Sequence, residues 1–354
     1  MAAREVIFGA FKGIGDIFNA APTIGAELGR GSNVVVLIFP NREIRDFVEL
    51  LDFRACGGNL VIEELPLRGG PNKLSEFFGA MRRLDPDLVW ISPHAPRIAA
   101  SWKIPLLLWL IRRLHWRRAK LAGAQSEKFS WLFDVRVPVD RKLPYQLREW
   151  VAYSMASGFI PVGPIRPVPF VPELRRRIEP PLYDVLIHPG ASTENKKWPI
   201  IYYVELIKQL PLECRIAVLG MPDDVTAIKS AMQSNTRVTF LSGTPRDAIV
   251  AIGRARLTIT MDSSARHFAG LLGVPTITLF GASDSRLIES SGPKVWPLIA
   301  TGLTCQPCEK ARCRYSTIYC MRMIEPARVA QTTVELLRSI SHDAFESTET
   351  TSAH

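Results

Sequence analysis

No stretch of this chain is long and apolar enough to span a bilayer. The longest clean apolar run, Ile104 to Ile111, is eight residues long and holds Pro105, against roughly 20 residues for a membrane helix. The start of the chain, MAAREVIFGAF, offers no long apolar signal core, which argues against secretion and for a cytoplasmic protein. Cysteine is scarce, six in 354 residues, too few for a disulfide scaffold. Cys56 and Cys214 stand alone in apolar contexts and read as core fillers. The common nucleotide fingerprints are missing too. The loop Lys12 to Asp16 lacks the third glycine of a dinucleotide loop and ends on an acid, and it is no Walker loop.

What is present describes a globular protein. Hydrophobic residues make up 47% and charged residues 22% of the chain, which excludes a disordered polymer. The length suggests about two domains. Lys and Arg exceed Asp and Glu by 44 to 34, a net charge of +10, so anionic partners are favoured.

Strand-like and helix-like segments alternate. In the first half, Val6–Phe11, Asn33–Pro40, Asn59–Glu64 and Asp87–Ser92 read as strands. The run NVVVLIFP has the β-branched, unbroken apolar character of a buried parallel strand. Amphipathic stretches at Ile17–Arg30, Asn41–Phe53 and Asn72–Leu84 lie between them. The second half repeats the pattern. Strands are expected at Tyr183–His188, Arg215–Leu219, Leu257–Met261 and Thr276–Phe280, with helices at Pro199–Gln209 and Ala265–Leu272. Ile160–Pro172, with five prolines, reads as a stiff linker. The expectation is two parallel-sheet α/β domains with a cleft between them. The polar tail, Ser341 to His354, is expected to be disordered.

Polar loops fall at the carboxyl ends of expected strands, where open α/β sheets bind ligands. Lys12–Asp16 ends in a carboxylate at a helix start, and on its own it could be a simple N-cap. His188–Trp198, HPGASTENKKW, offers small and hydroxyl residues with Lys196 and Lys197 beside them, a setting for phosphate. Taken alone it is also an ordinary polar loop. Asp262–His267, DSSARH, opens a helix whose N-terminus favours an anion. A lone His267 there is more often a core histidine than a ligand.

In this order and spacing, these segments resemble glycosyltransferase family 9, the heptosyltransferases that use ADP-heptose. Gly15-Asp16 with Ala21-Pro22 resembles the family's N-terminal element. His188-Pro189-Gly190-Ala191-Ser192 with Lys196 and Trp198-Pro199 resembles its HPGAS…KxWP element. Leu241-Ser242-Gly243-Thr244 resembles its LxGxT turn. Asp262-Ser263 and His267, with Ala269, Pro275 and Phe280-Gly281, resemble its last element. The resemblance runs from about residue 4 to about residue 340. Two departures are Ser264, where the family usually has Gly, and Arg266, where it has an uncharged residue. A Ser at the helix start changes how closely a diphosphate approaches. Arg266 could compensate with its charge or mark a different donor.

The resemblance implies an α/β GT-B fold: two Rossmann-like parallel-sheet domains facing a central cleft. Residues 1–165 would bind the acceptor, and residues 166–340, with the cysteine cluster, the nucleotide sugar. It implies inverting transfer with no cofactor for the chemistry. Asp16 matches the family's base and Lys196 the lysine that meets the donor phosphates. Ser192 and Thr193 would add hydroxyl contacts. Asp262, Ser263, Ser264 and His267 would line the donor pocket with Gly243, and Asp223 or Asp224 would take ribose hydroxyls. The implied partners are an ADP-sugar donor, most simply ADP-heptose, and an anionic lipid-linked or glycan acceptor in lipopolysaccharide core assembly. A protein or small natural product is an alternative acceptor. A nucleotide-sugar epimerase of similar architecture is an alternative enzyme, and a basic metal-binding module that contacts nucleic acid is the non-enzyme alternative. No nucleic-acid recognition motif accompanies the charge.

Two further features stand out. Cys305, Cys308, Cys313 and Cys320 have spacing suited to a four-thiolate site for structural zinc or iron. Free thiols are the plain alternative. The basic neighbours Lys310, Arg312 and Arg314 are expected to favour thiolates, and the cluster is expected to be remote from the donor loops. Trp102–Lys120 is apolar and then basic, with Arg112, Arg113, Arg117, Arg118 and Lys120. It suits peripheral contact with the inner face of the cytoplasmic membrane or with an anionic acceptor, or else is a buried helix with a basic end.

Overall fold

A computed structural model of the chain describes residues 4–66, 70–93, 103–127, 129–159, 164–176, 181–232, 237–288 and 294–351. For residues 10, 70–71, 103 and 341–351 only the backbone is described. The chain divides into two compact units, Met1–Val171 and Pro172–His354.

The first unit holds a six-stranded sheet in the order β3-β2-β1-β4-β5-β6. The strands are β1 Glu5–Phe11, β2 Asn33–Ile38, β3 Asn59–Glu64, β4 Leu88–Ile91, β5 Lys120–Ala124 and β6 Val135–Val137. All pair in parallel. The helices are α1 Ile14–Leu28, α2 Arg42–Leu50, α3 Gly70–Met81, α4 Lys103–Leu114 and α5 Tyr145–Ser157. Strands with apolar side chains on both faces need cover on both faces, and β1, β2 and β4 are buried almost throughout.

The second unit repeats the design with the order β12-β11-β10-β7-β8-β9. Its strands are β7 Tyr183–His188, β8 Ile216–Leu219, β9 Val238–Leu241, β10 Ala255–Met261, β11 Thr276–Phe280 and β12 Val295–Ile299. Its helices are α6 Ile200–Gln209, α7 Pro222–Ala231, α8 Pro245–Gly253, α9 Ser264–Leu272 and α10 Pro326–Thr351, with one-turn helices at Pro172–Arg175 and Tyr319–Arg322. In both sheets the order reverses beside the unit's first strand, between β1 and β4 and between β7 and β10. A parallel α/β sheet opens a crevice outside its carboxyl ends at such a reversal. His188 ends β7, and Asp16, Lys196 and Asp262 follow β1, β7 and β10, so topology alone places them at the reversal of their own sheet.

Two expectations are corrected and one is refined. α1 starts at Ile14 rather than near Ile17, with Gly13 as N-cap, so Asp16 lies inside the first turn and is not the cap. The proline-rich segment does not hang free along its length. Val168 and Phe170 are buried, and Val171 N–H donates to Leu50 O at 2.9 Å while Asp52 N–H donates to Pro169 O at 2.7 Å. Its apolar residues bind it to the end of α2, while residues 160–163 lie outside the described residues. The backbone of α10 stays helical to Thr351, through most of the segment expected to be disordered. A helix already nucleated by a packed face adds further turns at little cost even in a polar sequence.

Candidate active site

The first unit contributes Asp16. As the third residue of α1 it turns its carboxylate back onto the helix start, where Oδ2 accepts from Gly13 N–H at 3.0 Å and from Lys12 N–H at 3.3 Å. These donors and the helix N-terminus favour the anion. Burial opposes them and wins, holding the Asp16 carboxyl up at about 6. A carboxylate that titrates just below neutral pH and can still reach solvent is suited to take a proton at physiological pH.

The second unit contributes a denser cluster. Lys196 sits in the turn Glu194–Lys196 after β7 and donates to Asp262 Oδ2 at 2.5 Å. Ser283 Oγ, from the loop after β11, donates to the same oxygen at 2.7 Å. Arg266 Nε approaches Asp262 Oδ1 at 3.5 Å from one turn along α9. Despite burial, these partners hold Asp262 down at about 2. The carboxylate is thus a fixed anion with two cations on it, and the trio carries one net positive charge. Both nearby histidines are neutral. Burial lowers His188 to about 4. Burial and the Arg266 charge push His267 well below its ordinary value, and its Nε2 faces Arg266 Nη2 at 3.0 Å. Ser263 is the N-cap of α9, and its Oγ lies 3.1 Å from Thr260 Oγ1 and 3.4 Å from His188 Nδ1. Ser264 is the first residue of that helix. A net positive cluster at a helix N-terminus is a setting for a diphosphate.

Other expected residues fall at varying distances from this centre. Thr193 Oγ1 donates to Asn195 Oδ1 at 2.7 Å, and Ser192 is exposed on the same loop. Asp223 and Asp224 open α7 after β8, and Asp224 acts on Lys197. Lys197 pairs with Glu194 at 2.7 Å, whereas Lys196 takes Asp262. Gly243 serves the cap of α8. A Cβ there would stand 2.7 Å from Asp247 Oδ2, and that carboxylate accepts from Thr244 Oγ1 at 2.7 Å. No described contact joins Gly243 to the Lys196–Asp262 pair.

Sequence reasoning missed Ser283 and Asn195. Ser283 lies three residues past the end of β11, at the sheet edge where polar loops had already been singled out. Asn195 is buried and donates through Nδ2 to Lys310 O.

That last contact corrects the expectation that the cysteine segment is remote. Cys308 N–H and Glu309 N–H both donate to Ala282 O, at 3.0 and 2.9 Å. Gln306 Nε2 donates to Phe280 O and Gly281 O. Asp284 N–H donates to Glu309 Oε1 at 2.5 Å. The segment therefore braces the loop that carries Ser283 to Asp262. The four thiols are free and half-buried. Burial first, then the charges of Cys308, Cys313 and Cys305, push the Cys320 thiol up, so the basic neighbours do not favour its thiolate. Among the described residues no group of three or more Cys, His, Asp or Glu side chains is arranged to hold a metal ion.

The basic end of α4 lies away from Asp16. Arg112 pairs with Asp134 at 2.9 Å, Arg113 lies over the Trp109 ring, and Arg117, Arg118 and Lys120 are exposed beside Leu114. This end leads into the start of β5. The patch thus lies at the amino edge of the sheet, opposite the edge that carries Asp16.

Two Rossmann-like units, each with polar side chains at its sheet reversal and the second with a cationic helix N-terminus, have the make-up of a GT-B fold. Residues 178–319 match the family description "Glycosyltransferase family 9 (heptosyltransferase)". This match lies wholly within the second unit and spans 142 of the chain's 354 residues. It is 25% identical over 255 residues to lipopolysaccharide heptosyltransferase 2 of Salmonella typhimurium, a match covering 63% of this chain and 69% of that protein. Its fold is similar to that of the E. coli heptosyltransferase WaaC with ADP, with a TM-score of 0.68 at 16% identity over 94% of this chain and 99% of that one. It is also similar to the iron-containing dodecameric glycosyltransferase TibC of enterotoxigenic E. coli, with a TM-score of 0.55 at 13% identity over 95% and 76% of the two chains.

Proposed function

We propose that this chain transfers heptose from ADP-heptose, with inversion, to an acceptor hydroxyl in lipopolysaccharide core assembly. The observation that carries this is the Lys196–Asp262–Ser283 cluster at the N-terminus of α9, built from three loops inside the family 9 match. In the reaction the acceptor oxygen forms a bond to the anomeric carbon as that carbon's bond to the diphosphate oxygen breaks. Asp16 takes the acceptor proton. Lys196 and the α9 N-terminus stabilise the departing diphosphate. Arg266 supports this by charge, because it holds Asp262 together with Lys196 instead of leaving the lysine fully neutralised. Ser192, Thr193, Ser264 and one of Asp223 and Asp224 complete the donor pocket.

Calorimetry with ADP, UDP and GDP tests the donor. ADP is expected to bind at least about tenfold more tightly than either of the others, a difference of about 1.4 kcal/mol. A preference for UDP or GDP would overturn the ADP-heptose reading.

The acceptor is proposed to be anionic and lipid-linked. The exposed arginines at the end of α4 suit contact with an anionic membrane surface from the cytoplasmic side, and among the described residues no helix is long and apolar enough to cross a membrane. Their position opposite Asp16 favours a membrane contact over a direct contact with the reacting acceptor.

The four cysteines are proposed to take one zinc or iron, a role supported by their mutual electrostatic reach. The segment would have to draw the thiols together around the ion. Elemental analysis of protein purified without chelator is expected to give about one metal per chain. Four freely reactive thiols and no metal would contradict it.

A further inference from the structure

Glu149 belongs to none of the motifs, yet it is the most deeply buried carboxyl near Asp16. It lies on α5 and is 0% exposed. Two side chains of the β4 strand end are aimed at it: Trp90 Nε1 donates to Oε1 and Ser92 Oγ donates to Oε2, each at 2.7 Å. β4 pairs with β1 as far as Gly9 and Ile91, and Ser92 N–H donates to Gly9 O at 3.1 Å. Ser92, the residue after β4, therefore lies beside the end of β1 that leads into Asp16. α5 also packs on α1, where Gln146 Nε2 donates to Phe18 O at 3.3 Å. Glu149 is thus held where α5 packs on α1 beside the end of β4, and the Asp16 charge acts on it.

A buried carboxyl is costly, and a leucine or methionine would fill this space without that cost. The other charged groups on the elements packed against α5 are engaged or exposed. Glu27, at the far end of α1, accepts from Ser32 and Tyr153. Arg148 of α5 donates to backbone oxygens of Arg141 and Leu143. Lys12, Lys120 of β5 and Arg136 of β6 are exposed.

We propose that Glu149 is a positioning residue for Asp16: a second carboxyl, fixed by Trp90 and Ser92, whose charge sets how strongly Asp16 draws the acceptor proton. This rests on Asp16 being the base. Burial, partly offset by the two donors and reinforced by the Asp16 charge, holds Glu149 up at about 7. Asp16 ionises first. Once Glu149 also ionises, the two like charges repel, and the proton that arrives on Asp16 relieves that repulsion. The two carboxyls then titrate as a pair.

The test is the pH profile of kcat/KM between pH 5 and 9 for the wild type and Glu149→Gln, with tryptophan fluorescence titrations of the same full-length chains and of Asp16→Asn. The loss of activity in Glu149→Gln is expected to grow with pH, by about threefold or more between pH 6 and pH 8. A fluorescence step near pH 7 is expected in the wild type, absent in Glu149→Gln, and moved to lower pH in Asp16→Asn. Ser92→Ala, which removes one donor to the anion, should move that step to higher pH. A loss independent of pH, or a step that Asp16→Asn leaves in place, would overturn the proposal. Full turnover in Asp16→Asn would instead overturn the base assignment, and the fluorescence coupling would still read out separately.

Discussion

Asp16→Asn is expected to keep the fold and ADP binding while losing at least about 10²-fold in turnover, the low end of what general-base help supplies. Asn keeps the size of Asp, and its side-chain oxygen can still accept from Gly13 N–H and Lys12 N–H. α1 therefore keeps its first turn. What is lost is a group that can accept the proton of a hydroxyl whose own pKa lies far above 7. If Asp16 served only the helix start, Asn would serve nearly as well and turnover would hardly change. Circular dichroism, ADP titration and a transfer assay on one preparation separate these outcomes. The wild-type pH dependence has a definite sign. Burial raises the Asp16 carboxyl to about 6, so the base is ionised above that pH, and activity falls as pH drops through it.

Lys196→Ala is expected to weaken ADP binding by about 10- to 150-fold, the loss of one charge-assisted contact of about 1.5–3 kcal/mol. The adjacent Lys197→Ala is the control. Lys197 is tied to the exposed Glu194, with side-chain exposures of 37% and 79%, and such surface pairs are weak. Its removal should change the ADP affinity by less than about threefold. Equal effects from the two lysines would mean that only general positive charge matters, and that the Lys196–Asp262 pair has no special place in the site. Calorimetry on both variants decides this.

Much of this architecture is legible in the residues. The unbroken run NVVVLI marks β2, and the short apolar runs ending in His188, Gly220 and Gly281 mark strand ends with loops of possible chemistry. The strands that escaped notice are short or lie at sheet edges. β6 is only Val135–Val137, and β12 carries Pro297 in its middle. α5 escaped for another reason. Its buried positions include Gln146, Arg148 and Glu149, so polarity does not mark its outer face and the helical period is blurred.

In the site, charged and ring-bearing residues carried the signal. Ser283 and Asn195 did not, because a small polar residue at a strand end looks like any loop residue until its partner is known. Cysteine spacing carries information about a common ligand, yet none about where the segment packs. That packing depends on backbone contacts such as those of Cys308 and Glu309 with Ala282, which side-chain chemistry does not encode. The pairing of Glu149 with the Asp16 region likewise depends on β1 and β4 being neighbours across the sheet reversal, a relation between residues far apart in the chain.

The most direct test of the account is the fate of ADP-heptose incubated with the full chain, with and without a delipidated lipopolysaccharide core acceptor. The account predicts ADP release that depends on the acceptor, in step with the appearance of a heptose-extended core whose new linkage is inverted relative to the donor. Donor consumed to free sugar without regard to acceptor, or donor left intact beside a competent acceptor, would contradict it.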